Sequence, residues 1–167
     1  MRSPVPTWFH ESLEALVKAA SKDVNAFYNN EMVIRLHEGS KTGVPFSKYI
    51  LGLLYDYLVL RGINLPKDQG CLLIIESAAL GWQDAIEWCV KEATDYFWTQ
   101  NNKRGEHLFE LAITAARHGD ARAQFLTSML LEEGQVVEQN SELSAFWLEK
   151  AMSQGFNPEK WMRRLLK

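Results

Sequence analysis

The stretch Asn140–Gly155 lies over the stretch Arg104–Gly119 without a gap, and this coincidence restricts the fold more than any other feature of the chain. Ala151 falls on Ala115, Met152 on Ala116, Trp147 on Leu111 and Gly155 on Gly119. A third copy ends in Glu76-Ser-Ala-Ala-Leu-Gly81, with Leu73 in the place of Trp147. Each copy reads as an amphipathic helix that finishes in small residues and then glycine. Self-similarity at a fixed period is the mark of stacked repeats.

A second kind of helix follows each of these glycines. Gly119 leads into Ala121-Arg-Ala-Gln-Phe-Leu-Thr-Ser-Met-Leu-Leu, and Gly81 into Gln83-Asp-Ala-Ile-Glu-Trp-Cys-Val. The earlier copy is Ser47-Lys-Tyr-Ile-Leu-Gly-Leu-Leu-Tyr55. Ser47, Ala85 and Ala123 correspond and stand 38 residues apart. The repeat is therefore two antiparallel helices, A and then B. Small residues let two helix axes approach closely. A terminal glycine adopts the left-handed conformation that closes a helix. One such hairpin cannot bury its own apolar face, so neighbours must stack to make a core.

The remaining signals agree with an all-α chain. Period-two alternation is scarce, and there is no Asn-Gly or Asp-Gly hairpin turn. Leu13, Leu16, Val17 and Ala20 recur at helical spacing. Glycines and prolines at Gly39, Gly43, Pro45, Gly62, Pro66 and Gly105 add further stops. About nine helices of roughly 10–16 residues are expected. Residues 7–39 read as two helices, with Ala19-Ala20 in a B-like position. Residues 1–44 thus form an N-terminal cap or a decayed repeat. Three repeats follow at 45–81, 83–119 and 121–155, and residues 156–167 read as a C-terminal cap helix, all in one continuous domain. Its Lys and Arg residues suit the polar outer face that a solenoid end requires.

Composition then removes whole classes of function. Of the 167 residues, 47% are hydrophobic and 23% charged, enough for a core without disulfides or a structural metal. The net charge of −3 argues against a phosphate-backbone binder, so no nucleic-acid partner is expected. Apolar runs such as Tyr49–Leu54 and Cys71–Ile75 are too short to span a membrane. The N-terminus shows no apolar signal-peptide core, and a cytoplasmic location is expected. Cys71 and Cys89 sit among apolar residues and read as small core hydrophobes. No Cys or His lies at ligand spacing from either, so no metal and no cofactor are expected.

Nor does any motif forecast chemistry. His10, His37, His107 and His118 pair with no second ligand on one helix. His118 precedes Gly119, a helix C-terminus where a cationic side chain is mildly favourable. Glu132-Glu133 read as solvated carboxylates at a helix end. There is no phosphate-binding glycine loop, no Gly-x-Ser-x-Gly elbow and no His-Glu-x-x-His helix. Trp147 reads as core, and Trp88 can face either way. Tyr96-Phe97-Trp98 cannot all point inward from one helix. They either pack on a neighbouring loop or supply an exposed interface anchor.

Residues 121–155 resemble a Sel1-like repeat, a relative of the tetratricopeptide family. Ala121, Ala123, Phe125, Gly134, Val137, Trp147, Lys150, Ala151 and Gly155 fall on positions of that family's pattern. Thr127-Ser128, Leu131, Val136 and Asn140 depart from it. Residues 45–81 match through Leu51-Gly52, Tyr55, Ser77-Ala78 and Gly81, with Gly70 in the place of a helix-B alanine. Residues 83–119 diverge most in helix A, where Cys89-Val90 replaces Leu-Gly and residues 96–103 replace the family's loop. The resemblance implies an α-solenoid whose A helices line a concave face that takes a polypeptide.

Carried over residue by residue, that face holds Asp56 from the first repeat. The second contributes Asp84, Glu87, Lys91 and Asp95, and the third Arg122, Met129 and Glu132. Five acids against two bases imply an acidic groove and a protein partner with a basic contact surface. Short free-standing proteins of this kind are similar to bacterial immunity proteins, which bind and neutralise a secreted toxin. The other reading is a regulatory or assembly adaptor that holds a helix or tail of a cellular protein. Both are non-catalytic.

Overall fold

The computed structural model describes residues 7–99 and 107–165, with side chains from 12 to 95 and from 107 to 163. Every regular element in these stretches is helical. In chain order they are α1 (Thr7–Ala20), α2 (Asn25–Tyr28), α3 (Glu31–Lys41), α4 (Pro45–Leu60), α5 (Gln69–Ala79), α6 (Gln83–Thr99), α7 (Leu108–Arg117), α8 (Ala121–Glu133), α9 (Ser141–Ser153) and α10 (Pro158–Leu165). The fold is all-α and of solenoid type.

The N-terminal stretch has three helices where two were expected. The extra element, α2, is a single turn of four residues. Its flanking breaks are made by Asp and Asn rather than by Gly or Pro. Asp23 Oδ1 accepts from the Asn25 N–H at 2.9 Å. Asn30 caps α3, its Oδ1 accepting from Met32 N–H at 3.0 Å and Val33 N–H at 3.4 Å. Short polar side chains that mimic a turn end helices as effectively as glycine does. At the other extreme α6 runs for 17 residues, because no glycine or proline interrupts it. It carries on through Thr99, four residues into the segment that replaces the family's loop.

The period is written in the backbone. Helices α1, α4, α6 and α8 begin at residues 7, 45, 83 and 121. Gly43, Gly81, Gly119 and Gly155 close the second helix of each hairpin with φ of 82°, 85°, 90° and 77°. Each is followed by the same closing bond back to a small residue. Val44 N–H donates to Gly39 O at 2.8 Å, Trp82 to Ser77 at 3.2 Å, Asp120 to Ala115 at 3.3 Å and Phe156 to Ala151 at 3.3 Å. A Cβ on Gly43, Gly119 or Gly155 would meet nothing within 4 Å. Conformation rather than lack of room therefore demands glycine at these turns. By this register α3, not the Ala19-Ala20 end of α1, holds the B position of the N-terminal hairpin.

The chain forms two compact units, Met1–Ile74 and Ile75–Lys167. In the first, Leu16, Phe27, Val33, Leu51, Tyr55 and Leu58 form a buried core, and α3 packs on α4. A methyl group on Gly39 would lie 2.8 Å from Ser47 Cβ, so these two helices nearly touch. In the second unit α6 packs on α7, α7 on α8 and α8 on α9, while α6 also reaches α8. That alternation sets the A helices side by side and leaves the B helices behind them. Leu108, Leu111, Ala112, Ala115, Leu126, Leu130 and Ala151 are buried between them, each 1% exposed or less. Burying a leucine side chain contributes roughly 1.5–3 kcal/mol. Past the last turn, Phe156 and Trp161 close on Phe125 with ring centroids 5.7 and 6.0 Å away, anchoring α10 to α8.

Candidate partner-binding surface

The A helices of the second unit present Asp84, Lys91, Asp95 and Glu132 as exposed side chains, with Glu87, Arg122 and Met129 half-buried. On α6 the residues at 84, 87, 91 and 95 recur at helical spacing, opposite the buried Ala85, Ile86, Cys89, Val90 and Ala93. Alternation of core and outward positions along one helix therefore fixes the surface.

Arg122 is not a free cation on this surface. Its Nη2 donates to both carboxylate oxygens of Glu87, at 2.9 and 3.0 Å, across the gap from α8 to α6. The same nitrogen reaches Asp120 Oδ2 at 2.6 Å, and Nε reaches Asp120 Oδ1 at 3.2 Å. Asp120 in turn caps α8, accepting from the N–H groups of Arg122 at 2.9 Å and Ala123 at 3.0 Å. The guanidinium pKa is raised, chiefly by the hydrogen bond to Asp120. One arginine thus ties neighbouring A helices together through Glu87, while Asp120 holds it at the start of its own helix. Lys91 lies 3.7 Å from Asp95 on its own helix. Asp84 and Glu132 stay exposed and make no ion pair among the described residues.

Asp56 belongs to the first unit, where a methyl group on Gly70 would come 2.3 Å from its Oδ1. Its carboxylate lies against the backbone of α5. Tyr96, Phe97 and Trp98 fall within α6, but their side chains lie outside the described residues, and so does that of His10.

Two linking residues went unrecognised in the sequence. His118 Nε2 lies 3.2 Å from the carbonyl of Ala79, so the end of α7 is joined to the end of α5. Gln154, at the corresponding position of the next hairpin, donates to Gln124 Oε1 at 2.7 Å. Gln124 in turn donates to the carbonyl of Ala116 at 3.2 Å. His118 thus makes its link directly, whereas Gln154 bonds within its own hairpin to Gln124, which makes the link to Ala116. Their shared register was the available signal, since His118 and Gln154 share no chemistry except the capacity to hydrogen-bond.

No group of His, Cys, Asp and Glu among the described residues is arranged to hold a metal ion. Both cysteines are buried. No described helix is long and apolar enough to cross a membrane. What the second unit offers is an extended, charged wall built on rigid helices.

Repeated hairpins with one register, a buried alanine seam and an outward polar wall define a helical-repeat protein of the α-solenoid type, whose pattern resembles the Sel1-like repeat. Among solved structures, the chain is similar to a Sel1 repeat protein from Oxalobacter formigenes, with 24% identity over 78% of this chain and 94% of that one, at a TM-score of 0.44. No family model and no curated protein matches the chain.

Proposed function

We propose that the protein is a non-catalytic protein–protein interaction scaffold that acts in the cytoplasm and binds its partner on the A-helix wall of the second unit. The observation that carries this reading is the exposed row of Asp84, Lys91 and Asp95 on α6 beside Glu132 on α8, held in register by the Glu87–Arg122 pair. Carboxylates outnumber cations along it, which favours a partner with a basic contact surface. Within this reading the partner is a secreted toxin domain that the protein neutralises, as an immunity protein does. The other partner class is a cellular protein for which the chain serves as an adaptor, and partner identity separates the two.

Charge reversal tests the surface. Asp84→Lys with Glu132→Lys is expected to weaken capture of the partner at least tenfold, while Glu31→Lys in the first unit leaves capture unchanged. Equal capture by all three proteins would remove the surface from consideration. Rescue of cells that express a captured basic toxin supports the immunity role. Failure of rescue, with binding intact, leaves the adaptor.

A further inference from the structure

The first unit holds a histidine that the binding surface does not use. His37 stands on α3 between two tyrosines from other elements. Its ring centroid is 6.3 Å from Tyr28 at the end of α2 and 6.1 Å from Tyr55 on α4, edge-on to the latter. Phe27, with no exposed surface, packs edge-on against Tyr55 at 5.1 Å. Four aromatic rings from three helices thus close the corner where the one-turn α2 joins α3.

The corner is built for a neutral imidazole. His37 Nε2 is buried and has no hydrogen-bond partner among the described residues. Burial first and the neighbouring Tyr28 hydroxyl second push the Tyr55 pKa far above the ordinary range, so it supplies no anion. The charged group that acts on His37 is Lys41, one turn along α3, and it is a cation. A proton on the ring would place a second positive charge near Lys41 and leave a buried N–H donor without an acceptor.

We propose that the first unit carries an acid-operated latch, in which proton uptake by His37 releases the α2–α3 corner from Tyr55. The direction follows from linkage. Burial and then Lys41 lower the folded-state pKa of His37 below its ordinary value of 6.5. Above that value both closed and open forms are neutral, and closure is fully stable. As pH falls through it, the open form binds the proton first, and closure weakens until the closed form also takes the proton. Opening uncovers Phe27, Val33 and Leu36, which are otherwise buried.

Hydrogen exchange on the full chain tests this between pH 7.5 and 5.0, with rates corrected for intrinsic exchange. The opening constant of amides from Phe27 to Leu36 is expected to rise below pH 6.5, by up to about tenfold per pH unit. Amides of α8 serve as the internal reference. His37→Gln is expected to abolish the rise. Lys41→Ala, at an exposed position, leaves the onset in place but makes the rise smaller, because it brings the closed-form value nearer to the open one. An α2–α3 response no larger than that of α8 overturns the proposal, as does an undiminished response in His37→Gln. Should the glutamine variant fail to fold, the ring titration of His37 in the native chain decides. A proton taken up at or above the ordinary histidine value would overturn the latch.

Discussion

The A–B crossing in the hairpin of α4 and α5 and the one in the hairpin of α8 and α9 share a register but are sealed by different means. In the first, Gly52 and Gly70 face each other, and a Cβ on either would come within 2.7 Å of the other's carbonyl oxygen. In the second, the corresponding residues are Ser128 and Ser144, and the Ser144 hydroxyl donates to the Ser128 carbonyl at 2.9 Å. In the middle hairpin the same positions hold Val90 and Leu108, both buried. The repeat conserves the place where helices meet, while each hairpin sets its own separation by side-chain size. Backbone contact, a hydrogen bond and apolar packing are interchangeable there as long as no polar group is stranded and no void remains.

Substitutions at the two crossings turn this contrast into numbers. Gly52→Ala is expected to have the largest effect, because its Cβ would lie 2.6 Å from Ile74 Cγ1 and 2.7 Å from the Gly70 carbonyl. Overpacking of this kind costs about 1–3 kcal/mol. Alanine's better helix propensity offsets up to about 1 kcal/mol of that. Denaturant unfolding of the full chain measures the net loss, and a stabilised variant would refute the close approach. Ser144→Ala removes one buried donor and is expected to cost about 1 kcal/mol. The two crossings would then differ in the direction argued here, with the glycine pair the less tolerant.

Smaller effects are expected where links are more exposed. A double-mutant cycle on Glu87→Gln and Arg122→Gln should give a coupling of about 0.5–1 kcal/mol, reduced by salt, because both side chains are more than a third exposed. No coupling would mean that the bridge between α6 and α8 is incidental. His118→Ala should cost about 0.5 kcal/mol or less, since its bond to Ala79 lies at the surface. Replacing it with Gln, the residue at position 154 of the next hairpin, is expected to restore the link. Thermal midpoints of the three proteins check that order.

The periodic part of the fold was legible because it depends on local chemistry. Ala115-Ala116 before Gly119 and Ala151 before Gly155 specify close helix packing and a left-handed stop within a few residues of sequence. The one-turn α2 was missed because Asp23 and Asn30 are weaker punctuation than glycine, and only their capping bonds reveal the breaks. The outward positions on α6 could be read from helical spacing, and Asp84, Lys91 and Asp95 are indeed exposed. The electrostatics of the wall could not. Arg122 and Glu87 are 35 residues apart, and nothing near either predicts that they pair.

From the sequence alone came the register of the repeat, most of the places where helices stop and the faces that turn inward, all of which follow from residue size, polarity and backbone freedom along a few turns. Tertiary structure decided which charges remain available, how closely each pair of helices approaches, and that His37 has aromatic neighbours and no acceptor among the described residues. Those properties depend on side chains brought together from distant segments, and pairing across such distances is set by packing rather than by spacing along the chain.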